Sequence, residues 1–242
     1  MSDVTLGPQA DPPERAPDDS TTLARATGFI YWYLVVGVLL CVTTLPSVAL
    51  LLLLGRTPSN VALVPLCLIP HGPALSAALY ALRDRTRSEA LTPAPAFWRG
   101  YRLNAADVLR VWVPAMAVLA VVAGGIVSLE AGGLPAAYAG VLVVIGLLVV
   151  LWALDAVTIA SFFNFRTRDV ARLGAYYLLR RPRVTLGLLA LVVVAVGTVW
   201  LWTEAVLWLF TVVLVALWFT GARPLVDDVT ARFVQPADRP AD

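Results

Sequence analysis

The chain has no lysine and only one histidine, and charged residues make up 14% of its 242 positions. Soluble domains carry about 25% charged residues, so this composition excludes an ordinary soluble protein. The net charge of +2 is too small to indicate nucleic acid as a partner. Apolar residues fill the composition instead, at 60% of the chain with a mean hydropathy of +0.81, which indicates an integral membrane protein whose first partner is the lipid bilayer.

The motifs of the common enzyme classes are missing too. The sequence has no P-loop, no GxGxxG after a strand, no GxSxG and no HExxH. Its two cysteines, Cys41 and Cys67, stand alone inside apolar runs, without metal-ligand spacing, as small packing residues do. We therefore predict a non-enzymatic protein with no catalytic, cofactor-binding or metal-binding residues.

Several apolar segments are long enough to cross the hydrocarbon core, which takes about 20 helical residues. They predict an all-α fold, a polytopic transmembrane helical bundle of about six spans. The longest segment exceeds one crossing, and its only polar break is Thr203-Glu204, where a threonine cap can start a new helix. The predicted spans are residues 34–54, 61–82, 108–129, 138–163 and the two halves of 184–219.

The two ends of the chain differ from its apolar middle. Residues 1–24 are acidic and rich in proline, without the basic and apolar pattern of a signal peptide, and predict a disordered cytoplasmic tail. Residues 25–223 form the predicted transmembrane helical domain, and residues 224–242 a second cytoplasmic tail. Asp227 and Asp228 fall in this second tail and are predicted to be solvated.

The arginines indicate an orientation. With six spans and both termini cytoplasmic, every arginine except Arg56 falls on the cytoplasmic side. Cytoplasmic loops of membrane proteins carry an excess of basic residues. We therefore expect a multi-pass protein of the cell (inner) membrane with both ends in the cytoplasm.

The second predicted span contains three prolines, Pro65, Pro70 and Pro73. Each proline removes a helical hydrogen bond, and irregular backbone at membrane depth is tolerated only where protein or a cavity covers it. The pattern predicts a central helix with a broken hydrogen-bond ladder; a merely bent structural helix is the alternative and the more common outcome, because proline is common in membrane helices.

A basic amphipathic segment follows that span. In residues 97–110 the helical spacing places Arg99, Arg102 and Arg110 on one stripe and Trp98 and Tyr101 on another. Such a helix is typical of the headgroup layer, so we predict an interfacial amphipathic helix between spans two and three. It serves either as a lipid anchor or as a docking surface for a cytoplasmic partner. Residues 164–183 are predicted as a second basic connection.

Two polar residues fall inside the predicted spans. Residue counting places His71 and Asp155 near the bilayer midplane, on helices that run in the same direction. A charged side chain is costly there, so we predict a candidate intramembrane polar pair joined by a hydrogen bond. The pair would be a structural clasp or a proton or substrate site, and absence of contact is the third alternative.

Short motifs around the second span resemble a known family. The passage from span two into its basic loop, and a weaker patch from Phe162 to Pro182, resemble the YesL-like family of bacterial integral membrane proteins (Domain of Unknown Function 624). The first set of matching residues is Gly72, Pro73, Ala74, Ala77, Ala78, Leu79, Tyr80, Arg83, Phe97, Trp98, Arg99, Arg102 and Asn104.

The resemblance implies a multi-pass bacterial inner-membrane protein of unestablished activity, encoded beside carbohydrate-uptake genes, with no known catalytic residues. The implied function is a non-enzymatic accessory component linked to carbohydrate uptake, with an ABC-type sugar transporter or another membrane protein as partner. The alternative from the residues themselves is a small-solute transporter with a midplane polar site.

Overall fold

The structure is a computed structural model that describes residues 19–55, 57–87, 92–133, 135–202 and 204–233. Within these ranges the chain is helical and contains no strand, which confirms the predicted all-α bundle. A short 3-10 helix, Pro58–Leu63, precedes α2. The α-helices are α1 Asp19–Leu53, α2 Val64–Cys67, α3 His71–Arg87, α4 Pro93–Ala131, α5 Ala136–Phe162, α6 Thr167–Arg180, α7 Pro182–Leu201 and α8 Glu204–Phe233.

Five of these helices, α1, α4, α5, α7 and α8, are long and apolar enough to span a membrane. The second predicted span corresponds to the 3-10 helix with α2 and α3, which are bent by 40° at a short break and make a sixth span only if taken together. α7 ends at Leu201 and α8 begins at Glu204, so the predicted break between the last two spans is confirmed. The chain is therefore a multi-pass membrane protein.

α3 lies at the centre of the bundle, in contact with α1, α4, α5 and α8. It presents a face of alanines, including Ala74, Ala77 and Ala78, that are fully buried. Small side chains let helix backbones approach closely, which drives helix association inside a bilayer. Two glycines bring α3 and α4 especially close together. Gly72 of α3 lies against the Trp112 ring of α4, and Gly100 of α4 lies against Tyr80 of α3.

α8 closes the bundle by packing on α1 and α5. The Trp208 indole N–H donates to the Thr44 hydroxyl of α1 over 2.9 Å. Ten residues further along α8, the Trp218 indole N–H donates to the Thr158 hydroxyl of α5 over 3.1 Å. Both contacts satisfy polar groups that would be costly if left unpaired in an apolar interior.

The amphipathic segment at residues 97–110 is helical as predicted, but it is continuous with the third span. α4 runs unbroken over 39 residues, or about 58 Å. No glycine or proline lies between Asn104 and Val113 to end the helix. Apart from its basic and aromatic stripes, the segment has a face that is buried in the bundle, with Phe97 and Gly100 and the preceding Ala96. The segment is therefore packed against the helical core.

Helical structure also crosses both predicted domain boundaries. α1 begins at Asp19, inside the predicted amino-terminal tail, and α8 continues to Phe233, ten residues past residue 223. α8 does so although Pro224 lies inside it. The remainders of the two predicted tails, residues 1–18 and 234–242, lie outside the described residues.

The three prolines of the broken span have separate places. Pro65 lies in α2, Pro70 in the turn of residues 68–70, and Pro73 in the first turn of α3. Around this break the backbone uses shorter bonds, such as the His71 amide to the Leu68 carbonyl over 3.0 Å. The Trp112 indole N–H also donates to the Leu68 carbonyl over 3.0 Å. The break is thus covered by protein, as irregular backbone at membrane depth requires.

Trp112→Phe should destabilise the protein by about 1 kcal/mol, because the aromatic ring is kept while the bond to the Leu68 carbonyl is lost. Thermal unfolding in detergent measures the change. Trp98→Phe is the matched control, since Trp98 lies on the same helix with 41% of its surface exposed. Equal unfolding temperatures for the two variants would contradict a role of Trp112 in covering the break.

Candidate functional site

Helices α1, α3 and α5 each carry a buried polar atom that has no hydrogen-bond partner among the described residues. Asp155 on α5 is 1% exposed, and neither of its carboxylate oxygens has a hydrogen-bond partner among the described residues. The Ser47 hydroxyl on α1 and Nδ1 of His71 on α3 are likewise buried and unpaired. Unpaired buried polar groups are rare in folded proteins because each one costs free energy, so Asp155, with two unpaired oxygens, is the strongest candidate site residue in the described bundle.

Asp155 lies one turn before Thr158 on the same face of α5. The Thr158 hydroxyl donates to the Leu154 carbonyl over 2.9 Å and accepts from the Trp218 indole. Asp155 is therefore near the seam where α5 meets α8. The seam satisfies Thr158 and leaves the carboxyl group one turn away without a donor.

One hydrogen bond between two serines sets the register of α3 and α5. The Ser161 hydroxyl donates to the Ser76 hydroxyl over 2.7 Å. His71 lies five residues before Ser76, and Asp155 lies six residues before Ser161. At 1.5 Å per residue, the two side chains start from levels that differ by only about 1.5 Å.

The hydrogen bond predicted between His71 and Asp155 is nevertheless absent. Because both carboxylate oxygens of Asp155 lack partners, neither ring nitrogen of His71 bonds to them. Residue counting could give the level of each residue along its own helix. It could not give the direction in which each side chain points around the helix axis.

The structure gives the level of Asp155 relative to its neighbouring helices, while its midplane depth stays a prediction. The Asn104 side-chain amide donates to the Ser161 carbonyl over 3.1 Å, which fixes the register of the antiparallel helices α4 and α5. Six residues onward along α4 is Arg110, and six residues back along α5 is Asp155. Asp155 therefore lies level with an arginine whose side chain is 63% exposed and paired with Asp107. It is seven residues from the end of α5 rather than halfway along it.

Contacts gather the described arginines at one end of the bundle, which we call the basic end. The Arg85 guanidinium lies 4.2 Å from the Phe29 ring, joining the end of α3 to the start of α1. Arg83 donates to the Phe162 carbonyl at the end of α5. Arg99, Arg102 and Arg110 are exposed here, as their predicted stripe requires. The exposed arginines are Arg99, Arg102, Arg110, Arg166, Arg168, Arg172, Arg180, Arg183, Arg223 and Arg232.

α6 is the element that the sequence analysis missed, since residues 164–183 were taken as a connection. Val170, Gly174 and Tyr177 form its buried stripe. Gly174 lies against Trp152 of α5, and the Trp152 indole N–H donates to the Ala171 carbonyl over 2.9 Å. The spacing of Val170, Leu173, Tyr177 and Leu178 is the signal that predicts an amphipathic helix here.

A cluster of side chains, which we call the Asp228 latch, fastens α6 to α8. Asp228 accepts from Tyr177 over 2.8 Å and from Arg181 over 2.6 Å, and Arg232 lies 3.0 Å from it. The Asp228 side chain is only 10% exposed, so the prediction that it is solvated is wrong. Burial and the hydrogen bond to Asp228 raise the pKa of Tyr177 to about 12, so its hydroxyl stays a donor.

Asp228→Asn should loosen α6, because the amide cannot accept charge-assisted bonds from Arg181 and Arg232 together. We expect faster tryptic cleavage after the arginines of α6 in the purified protein. Asp227→Asn is the matched control, since Asp227 is the exposed neighbour. If both variants are cleaved at the wild-type rate, the latch does not hold α6 in place.

No group of three or more histidine, cysteine, aspartate or glutamate side chains suited to a metal ion occurs among the described residues. Cys67 is buried and Cys41 lies 3.6 Å from the Trp208 carbonyl through its Sγ atom, so both have packing environments. No family model matches the chain, and no curated protein or solved structure is significantly similar to it.

Proposed function

We propose that this protein is a non-enzymatic accessory component of the cell membrane that assists carbohydrate uptake by binding a membrane partner, such as an ABC-type sugar transporter. The observation that carries this proposal is the basic end. Its exposed arginines are mounted on α4, α6, α7 and α8 and on the turn that precedes α6. An arginine surface of this kind is suited to binding carboxylates on a partner, because each guanidinium can pair with two oxygens.

The rigidity of this surface supports a docking role. α6 is held on one side by Trp152 and on the other by the Asp228 latch. The first part of α4 is held by the contact between Gly100 and Tyr80. Binding to a preformed surface avoids the entropy cost of ordering side chains and loops.

The proposal places the basic end and both termini in the cytoplasm, on the positive-inside argument. The link to carbohydrate uptake rests on the resemblance to YesL-like proteins. The contacts of the described residues support the docking surface itself.

The test is chemical crosslinking in native membranes, followed by purification of the full chain in mild detergent. We expect subunits of a sugar transporter to be recovered with the wild-type protein. Arg168→Glu combined with Arg172→Glu, both on the exposed side of α6, should abolish that recovery. Ala137→Glu, at the opposite end of α5, is the matched control and should leave it unchanged.

Recovery of the wild-type chain without any transporter subunit would refute the accessory role. Loss of the partner in the Ala137→Glu variant as well would show that the partner is not bound through the basic end. A cysteine placed at Arg168 should react only with a reagent that reaches the cytoplasm, and labelling from outside would reverse the proposed orientation.

A second candidate function, transport of a small solute or a proton, is favoured by the unpaired carboxyl group of Asp155. That group lies beside the central helix α3, whose preceding segment is broken. Uptake of a labelled solute into vesicles containing the purified protein would support it if Asp155→Asn abolished the uptake. Uptake that is equal in the variant and the wild type would remove Asp155 from any transport mechanism.

A further inference from the structure

A short apolar groove runs along the membrane-facing seam between α7 and α8. It has a volume of about 190 Å³, and Trp218, Leu188 and Leu191 form part of its wall. Leu217, at its edge, is 55% exposed. The groove is thus open toward the lipid and lined by hydrocarbon.

Two glycines make room in the groove. A side chain built at Gly187 of α7 or at Gly221 of α8 would meet no atom within 4 Å. The space is therefore not used by close approach of the two helices, in contrast to Gly72 and Gly100 in the core. The space is open to the lipid, so an acyl chain from outside the protein can fill it.

The Asp228 latch lies beyond the end of this groove that faces the basic end. Asp228 lies two turns beyond Gly221 on the same side of α8, and Arg181 lies three residues before Val184, which lines the groove. Arg181 and Arg232 outnumber the single carboxylate, so the latch carries a net positive charge. Nε of Arg181 is buried without a partner, and the Arg232 side chain is 45% exposed, so both have donors to spare.

We propose that the groove binds one anionic phospholipid, with an acyl chain over Gly187 and Gly221 and the headgroup phosphate at Arg181 and Arg232. The charge of the latch selects an anionic over a zwitterionic headgroup. Basic pockets between membrane helices are a recurring form of anionic lipid site. The groove volume of about 190 Å³ is far smaller than that of a helix about 10 Å wide with its side chains.

The test uses the full chain in detergent, mixed with equal amounts of phosphatidylglycerol and phosphatidylcholine, and native mass spectrometry counts the retained lipids. We expect wild type to retain phosphatidylglycerol roughly fivefold better, the effect of about one arginine near a lipid phosphate. Gly187→Leu, which fills the groove, should abolish retention of the phosphatidylglycerol molecule that the groove binds. Arg232→Gln should remove the preference for phosphatidylglycerol.

Each variant has a matched control on the same helix. Gly197→Leu also adds a side chain in open space on α7, outside the groove. Arg223→Gln removes an exposed arginine of α8 that stacks on Phe219 instead of joining the latch. Both controls should retain phosphatidylglycerol as wild type does.

Equal retention of the two lipids by the wild-type chain would overturn the proposal, and so would equal losses in the variants and their controls. If Gly187→Leu changes the number of chains in the particle but not the lipid count, the groove is an interface between two copies and the lipid site is refuted. Thermal unfolding of each variant is measured under the same conditions, to establish that the protein is folded during the lipid count.

Discussion

Gly100→Ala will destabilise the protein, whereas Gly140→Ala will leave its stability unchanged or raise it. A methyl group at Gly100 would lie 2.6 Å from Cβ of Tyr80, so α3 and α4 must move apart. Such overpacking costs about 1 to 3 kcal/mol. Gly140 of α5 has no atom within 4 Å of the added group, so the variant gains only the helix preference of alanine, at most about 1 kcal/mol.

Thermal unfolding of the two variants in the same detergent measures this contrast. Gly72→Ala should behave like Gly100→Ala, because its methyl group would lie 2.7 Å from the Trp112 ring. Stabilisation by alanine at all three positions would mean that α3 and α4 are further apart than described.

Asp155→Leu will stabilise the folded protein, by up to about 3 kcal/mol, the cost on insertion scales of one carboxylate in a membrane helix. The residue is buried and neither oxygen has a partner, so its removal breaks no hydrogen bond. Asp155→Asn should give a smaller change, since the amide is also polar and meets the same surroundings. Chemical or thermal unfolding in detergent measures both, and a large loss of stability in Asp155→Leu would show that the carboxyl group has a partner.

The relation between Asp155 and His71 can be separated from this effect. Asp155→Ala and His71→Ala should have additive effects on stability, within about 0.5 kcal/mol, because the two side chains share no hydrogen bond. Coupling beyond that value would restore the predicted pair. If Asp155 is a transport residue, Asp155→Leu should give a stable protein that no longer transports the solute.

The class of fold could be predicted from the sequence because bilayer thickness sets the length of every apolar segment. The gathering of arginines at one end followed from the same spans. The level of Asp155 relative to α4 could not be predicted, because counting along α5 gives its position only relative to the ends of α5. Its level with Arg110 depends on the register of α4 against α5, which the bond from Asn104 to Ser161 fixes.

The sequence analysis also missed α6 and the burial of Asp228. α6 carries many arginines, so its average polarity concealed the apolar spacing of Val170 and Tyr177. Asp228 looked solvated because its partner Arg181 is 47 residues away in the chain. The helix of residues 167–180 thus had a local signal in its apolar spacing, whereas the burial of Asp228 depends on the packing of α6 against α8, which local sequence does not record.

The different lengths of α4 and α7 determine how the protein responds to bilayer thickness. α4 is about 58 Å long, well beyond the hydrocarbon thickness of about 30 Å. α7 has 20 residues, about 30 Å, and it follows α6 after the single residue Arg181. In a thicker membrane the hydrophobic mismatch therefore falls first on α7, at a fraction of a kcal/mol per ångström, and the lipid around α7 must become thinner.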